Sequence, residues 1–164
     1  MSISIAIIGL VIIALFVLPF FLVGVGKNKG QKHLKQALLK IAEEHSCNIS
    51  EFELWTSSAI AIDETTNDLF FVHLHNDIET AKHIKLSDFR FCKINNYSRV
   101  TKDREGNHTA IDRLELELTP VEKVKPVTIL EFFNADDSKL YSNELVIVEN
   151  WAQIINEKLN TKKQ

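Results

Sequence analysis

Residues 113–118 read RLELEL: Arg113, Leu114, Glu115, Leu116, Glu117, Leu118. An extended strand turns successive side chains to opposite faces, so the three leucines fall on one side and the three charges on the other. A helix scatters the same residues around its circumference; a sheet with one dry and one wet face sorts them. The stretch is therefore expected to be a half-buried antiparallel strand, and its neighbours in both directions share its composition.

Upstream, residues 52–57 (FELWTS), 59–63 (AIAID), 68–75 (DLFFVHLH), 81–86 (AKHIKL) and 89–95 (FRFCKIN) carry β-branched and aromatic residues between short polar turns. With 110–118 (AIDRLELEL) and 127–133 (VTILEFF), seven strands are expected. The period then changes. Residues 143–160 place Leu145, Val148, Trp151, Ala152, Ile155 and Leu159 on one helical stripe. Glu144 in the first turn and Lys158, Lys162 and Lys163 at the far end suit the helix dipole.

Seven short strands followed by one amphipathic helix carrying a tryptophan make residues 51–160 similar to a pleckstrin-homology-like (PH-like) domain of the bacterial kind. The resemblance implies an α+β fold: a seven-stranded antiparallel β-barrel or sandwich of two orthogonal sheets, with SNELVIVENWAQIINEKL (142–159) as the helix closing one open end. HIKLSDFRFCKI (83–94) resembles that family's crossing from fourth to fifth strand. A fold of this kind hosts many functions. Where the family binds phosphoinositides it uses basic residues around the loop joining its first two strands. Here that loop, TSSA at 56–59, has no lysine or arginine. No phosphoinositide is therefore expected. The resemblance implies instead a scaffold presenting a surface to another protein, with the charged segment 98–108 (SRVTKDREGNH) as a candidate loop for it.

The N-terminal region is of a different kind. Residues 3–25 form a run of 23, interrupted only by Ser4, two glycines and Pro19, and residues 1–26 carry no charge. As a helix the run reaches roughly 34 Å, enough to span a hydrocarbon core. A cleaved signal peptide has a basic start and a shorter apolar stretch. Lys27, Lys29, Lys32, Lys35 and Lys40 all follow the run and none precedes it, so these lysines are the expected membrane-interface residues. The positive-inside rule then places the C-terminal domain in the cytoplasm, on a single-pass anchor in the inner membrane. The expected division is a transmembrane helix at 1–26, a basic juxtamembrane helix at 27–48 and the PH-like domain at 49–164. In the middle segment Leu34, Leu38, Ile41, Ala42 and His45 share one helical face, which suits either a bilayer surface or the following domain. Glu43 and Glu44 oppose the dipole at its C-terminal end, so packing has to hold it.

Charge and motifs narrow the function. Beyond residue 45 the chain has 14 basic and 20 acidic residues, a balance that repels phosphates and argues against nucleic acid as a partner. The two cysteines, Cys47 and Cys92, have no metal-finger or redox spacing and are expected to be reduced and inert. Gly24, Gly26 and Gly30 around Lys27 fail as a phosphate loop, because Phe21 and Asn28 stand where glycine and a hydroxyl are needed. Among catalytic patterns, histidines come nearest. A five-residue loop at 76–80 pairs His73 with His83 and leaves His75 on the same outer face, three imidazoles that could hold zinc with one position open. The expected function is a non-enzymatic, membrane-anchored binding or assembly module that needs no cofactor and associates with another protein. One alternative is a zinc enzyme or metal sensor using His73, His75 and His83; another is recognition of the lipid surface by the juxtamembrane helix.

Overall fold

The structure, a computed structural model, describes residues 30–76, 78–103, 106–137 and 143–161. The expected span 1–26, with Lys27 and Lys29, lies outside the described residues. Among the described residues no helix is long and apolar enough to cross a membrane.

Helix α1 (residues 30–44) leads into seven strands. They are β1 (Glu51–Trp55), β2 (Ser58–Asp63), β3 (Asp68–His75), β4 (Ile78–Lys85), β5 (Phe89–Asp103), β6 (Gly106–Pro120) and β7 (Thr128–Asn134), with α2 (Glu144–Thr161) last. A single 3₁₀ turn, Leu86–Asp88, separates β4 from β5. The strands form two antiparallel meanders, β1-β2-β3-β4 and β5-β6-β7. The fold is thus α+β, with sheets of four and three strands and a C-terminal helix.

The connections within the first sheet are tight. Trp55 pairs with Ser58, and His75 pairs with Ile78, so each hairpin turns over two residues. Asn76 and Asn67 occupy the left-handed region at φ 48° and 57°, where asparagine is tolerated because its short side chain bonds locally. In the second sheet β5 and β6 run to 15 residues each, and β6 meets β7 only from Arg113 to Leu118. The segment expected as a loop at 98–108 is thus largely a two-stranded ribbon, with Ser98 opposite Ile111 and Asp103 opposite Gly106. Its threonine and valine carry β propensity that the flanking charges masked.

The first sheet is covered on both faces. In β2 (SAIAID) Ala59 and Ala61 face α1 while Ile60 and Ile62 face the second sheet, and all four are fully buried. β3 repeats the division, Phe70 and Val72 toward α1, Leu69 and Phe71 away from it. Leu34, Ala37, Leu38 and Ala42 supply the helix side of the contact, and the alanines on both elements let backbone approach backbone. α1 ends in a Schellman cap: Ser46 adopts φ 56°, and the N–H groups of Cys47 and Ser46 donate to the carbonyls of Ala42 and Glu43. The next residues are pinned by Asp63, whose carboxylate accepts the N–H groups of Asn48 at 2.7 Å and Thr65 at 2.8 Å.

Between the sheets lies the larger core. Leu114, Leu116 and Leu118 point into it with Leu130, Phe132 and Phe133 of β7, and α2 adds Ile147, Val148, Trp151, Ile155 and Leu159. Both indoles are buried and satisfied: the Trp55 N–H donates to the Phe132 carbonyl at 3.0 Å, and the Trp151 N–H to the Glu53 carboxylate at 2.9 Å. Asn156 clamps α2 to β5 by accepting the Cys92 N–H and donating to the Cys92 carbonyl, at 3.0 and 2.7 Å. Burial beneath that helix pushes the Cys92 thiol up to about 12, which leaves it protonated and unreactive.

Candidate functional site

The tight β3–β4 hairpin corrects the expected histidine pairing. With two connecting residues instead of five, His73 lies opposite Thr80 and His83 opposite Phe70. The odd shift in register turns β4 over, so His83 goes to the α1 face while His73 and His75 remain on the inter-sheet side with Phe71. The three histidines do not converge.

At the inter-sheet end, His73 and His75 have a different companion. The chain leaving β7 makes a turn in which the Asp137 N–H donates to the Asn134 carbonyl and the Asp136 N–H to the Asn134 side chain, both at 3.1 Å. The Ala135 N–H bonds the Asp112 carbonyl at 2.8 Å, anchoring the turn to β6. This presents Asp137 Oδ2 3.1 Å from His75 Nδ1. Ligand atoms of His73, His75 and Asp137 all lie within 4.8 Å of one another. His73 Nδ1 is held 2.7 Å from the hydroxyl of Ser58, itself buried. Desolvation lowers the His73 pKa, against the pull of the Glu131 and Asp137 carboxylates.

His83 belongs to a second cluster at the C-terminal end of α1. Its ring stacks on Phe70 at 5.2 Å and lies 3.8 Å from the ring of His45, while Nε2 contacts Asp68 Oδ1 at 3.0 Å. The Cys47 thiol donates to Asp68 Oδ2 at 3.5 Å. Burial raises the Asp68 pKa, but hydrogen bonds from Thr66, His83 and Cys47 outweigh it and hold the carboxyl below its ordinary value. Burial pushes the Cys47 thiol up, and the Asp68 charge adds to it, so Cys47 is a weak nucleophile.

The chain matches no protein-family model, no curated protein and no solved structure.

Among the expected interface residues, Lys32, Lys35 and Lys40 are exposed on α1, opposite its buried stripe, with Lys35 4.9 Å above the Phe52 ring. The TSSA loop reduces to the turn at Thr56 and Ser57, and the Thr56 hydroxyl bonds Glu144 at the start of α2 at 2.9 Å. A further feature is the seam between the edge strands β4 and β7, lined by Lys82, Ile84, Phe89, Thr128 and Ile129. Lys82 Nζ reaches across it to the Ile129 carbonyl at 2.7 Å. Sequence reasoning missed Asp137 and His45. The signal for Asp137 was the polar turn sequence NADD directly after the last strand; His45 was read only as the end of a helical face.

Proposed function

We propose that this chain is a single-pass membrane protein whose PH-like domain is a non-enzymatic binding and assembly module held close to the cytoplasmic face of the inner membrane. The four- and three-stranded meanders with a C-terminal helix agree with the element order that the PH-like resemblance implies. The observation that carries the reading is the docking of α1. Its apolar stripe is consumed by β2 and β3, and its lysines face outward. A helix packed in this way is a rigid strut. The apolar run ends at residue 25 and α1 is under way at residue 30, a separation that extended chain covers in at most about 18 Å.

The same docking weighs against lipid recognition through the apolar face of α1. That mode needs Leu34, Leu38 and Ala42 in the headgroup region, and they lie against the sheet. The lysines remain suited to anionic headgroups, as electrostatic support for an anchor. The association partner in this reading is another protein, met at the membrane surface.

The test is extraction and topology of the full chain in native cells. Alkaline washing without detergent should leave the protein in the membrane fraction, and a reporter fused after Gln164 should be active in the cytoplasm. In-cell photocrosslinking from position 100, where Val100 is exposed on the ribbon, should give discrete protein adducts. Release by the wash, or reporter activity confined to the outside, overturns the anchoring. Crosslinks to lipid without protein adducts overturn the partner class.

A further inference from the structure

We propose that His73, His75 and Asp137 form a binding site for a divalent transition metal of the zinc class, clasping the two sheets at one end of the domain. The donors are two imidazoles and one carboxylate, a set that suits zinc and its neighbours and is poorly matched to calcium or magnesium. They come from separate places in the chain. His73 and His75 sit two apart on β3, which puts both rings on one side, 6.4 Å between centroids. Asp137 arrives from the turn after β7, in the other sheet.

Two features go beyond proximity. The first is orientation of His73: the hydroxyl of Ser58, buried in β2, fixes Nδ1 at 2.7 Å and leaves Nε2 for a cation. Metal-binding imidazoles are commonly held in this way by a hydrogen bond at the second ring nitrogen. The second is placement of Asp137. Three hydrogen bonds donated by the backbone N–H groups of Ala135, Asp136 and Asp137, the second to the Asn134 side chain, fix the turn that carries it. Ligand atoms within 4.8 Å of one another reach the separation of about 3.4 Å found in a tetrahedral zinc shell through small side-chain rotations. His75 and Asp137 are open to solvent, so ions can enter and water can complete the shell.

The Asp137 carboxylate, its Oδ2 3.1 Å from His75 Nδ1, brings negative charge to a cation held there. Binding would tie β3 to the end of β7, adding to the bond from Lys82 to the Ile129 carbonyl that crosses the seam between β4 and β7.

The test is thermal unfolding of the full-length chain in mild detergent, stripped with EDTA and then titrated with zinc chloride. At a hundredfold excess over Kd the midpoint should rise by roughly 5 to 10 °C and return on renewed chelation. His75→Ala, at an exposed position that leaves the core intact, should abolish the rise, and Asp137→Asn should reduce it at least severalfold. His33→Ala, at an exposed α1 histidine paired with Glu79, should leave it unchanged. Cobalt(II) should give the strong visible absorption of a four-coordinate site in the wild type and lose it in His75→Ala. No rise with zinc overturns the proposal, as does a rise that survives the His75→Ala/Asp137→Asn double variant. A rise lost in His75→Ala but undiminished in Asp137→Asn overturns the ligand set.

Discussion

The two faces of the first sheet are built from the same two strands and filled by different rules. Toward α1, β2 presents Ala59 and Ala61; toward the second sheet it presents Ile60 and Ile62. The face against a sheet has to fill a gap of about 10 Å with side chains from both sides, and large residues do so. The face against α1 meets a cylinder whose own contact residues include Ala37 and Ala42, so small residues allow close approach. One cover is the second sheet with α2. The other is a single helix ending in two glutamates and a Schellman cap. The inter-sheet face should therefore decide whether the domain folds, and the α1 face whether the domain is joined firmly to what precedes it.

The largest expected effect follows from emptying the inter-sheet face. Phe71 lies 6.2 Å from Trp55 and 5.8 Å from Phe132, ring to ring, at the meeting of the two sheets. Phe71→Ala should lower global stability by about 3–5 kcal/mol, read from urea unfolding, because a buried ring is lost and the gap closes only in part. A loss below about 1 kcal/mol would mean that the two sheets do not share a core. A smaller and more local effect is expected on the other face. Ala61→Leu adds carbons where Ala61 is fully buried beneath α1 and should cost about 1–3 kcal/mol by overpacking. Hydrogen exchange should show that cost concentrated in amides 34–44, with β6 little changed. Uniform loss of protection across both sheets would show that the two faces unfold as one.

The same contrast explains what could be read in the sequence. RLELEL was legible as a strand because its leucines alternate: Leu114, Leu116 and Leu118 are fully buried, while on the opposite face Glu117 meets Lys93 and Asn95 and Glu115, expected in water, is buried beside Arg113. The α2 stripe was legible for the same reason, with Val148, Trp151, Ala152, Ile155 and Leu159 buried as spaced and Leu145 packed at the margin. β2 and β3 were legible as strands, but their faces were not, since residues buried on both sides show no alternation. Phe70, Val72 and Leu74 looked like the inner row; they are the row beneath α1. The histidine trio failed at a finer level. A hairpin register depends on the number of turn residues, and NDIET has no glycine to mark where β4 begins, so the sequence does not fix the side of His83, which lies opposite Phe70. Asp137 lies 62 positions from His75, a separation that no local period spans.

The smallest expected effect uses pH to separate the two faces. Burial holds the His73 pKa below its ordinary value of about 6.5, with Glu131 and Asp137 opposing and His75 and Lys82 assisting. The folded state therefore resists a proton that the unfolded chain accepts. As pH falls below about 6.5 the unfolded state binds more protons and stability declines, whereas above that value the contribution is fully present. On the α1 side two carboxylates are held below their ordinary pKa. The hydrogen bond from the Asn48 N–H holds Asp63 low, and the bonds from Thr66, His83 and Cys47 outweigh burial to do the same for Asp68. Their contribution is present above about pH 4 and is lost only as pH falls through their depressed values. Mild acid should thus loosen the His73 end while leaving the linker at Asn48 in place. Thermal midpoints between about pH 8 and pH 5 should fall with a shallow slope of less than one proton in the wild type, and more gently still in His73→Gln. Parallel slopes in the two proteins would remove His73 as the source. An early loss of amide protection at Asn48 would place the acid-sensitive joint on the helix side instead.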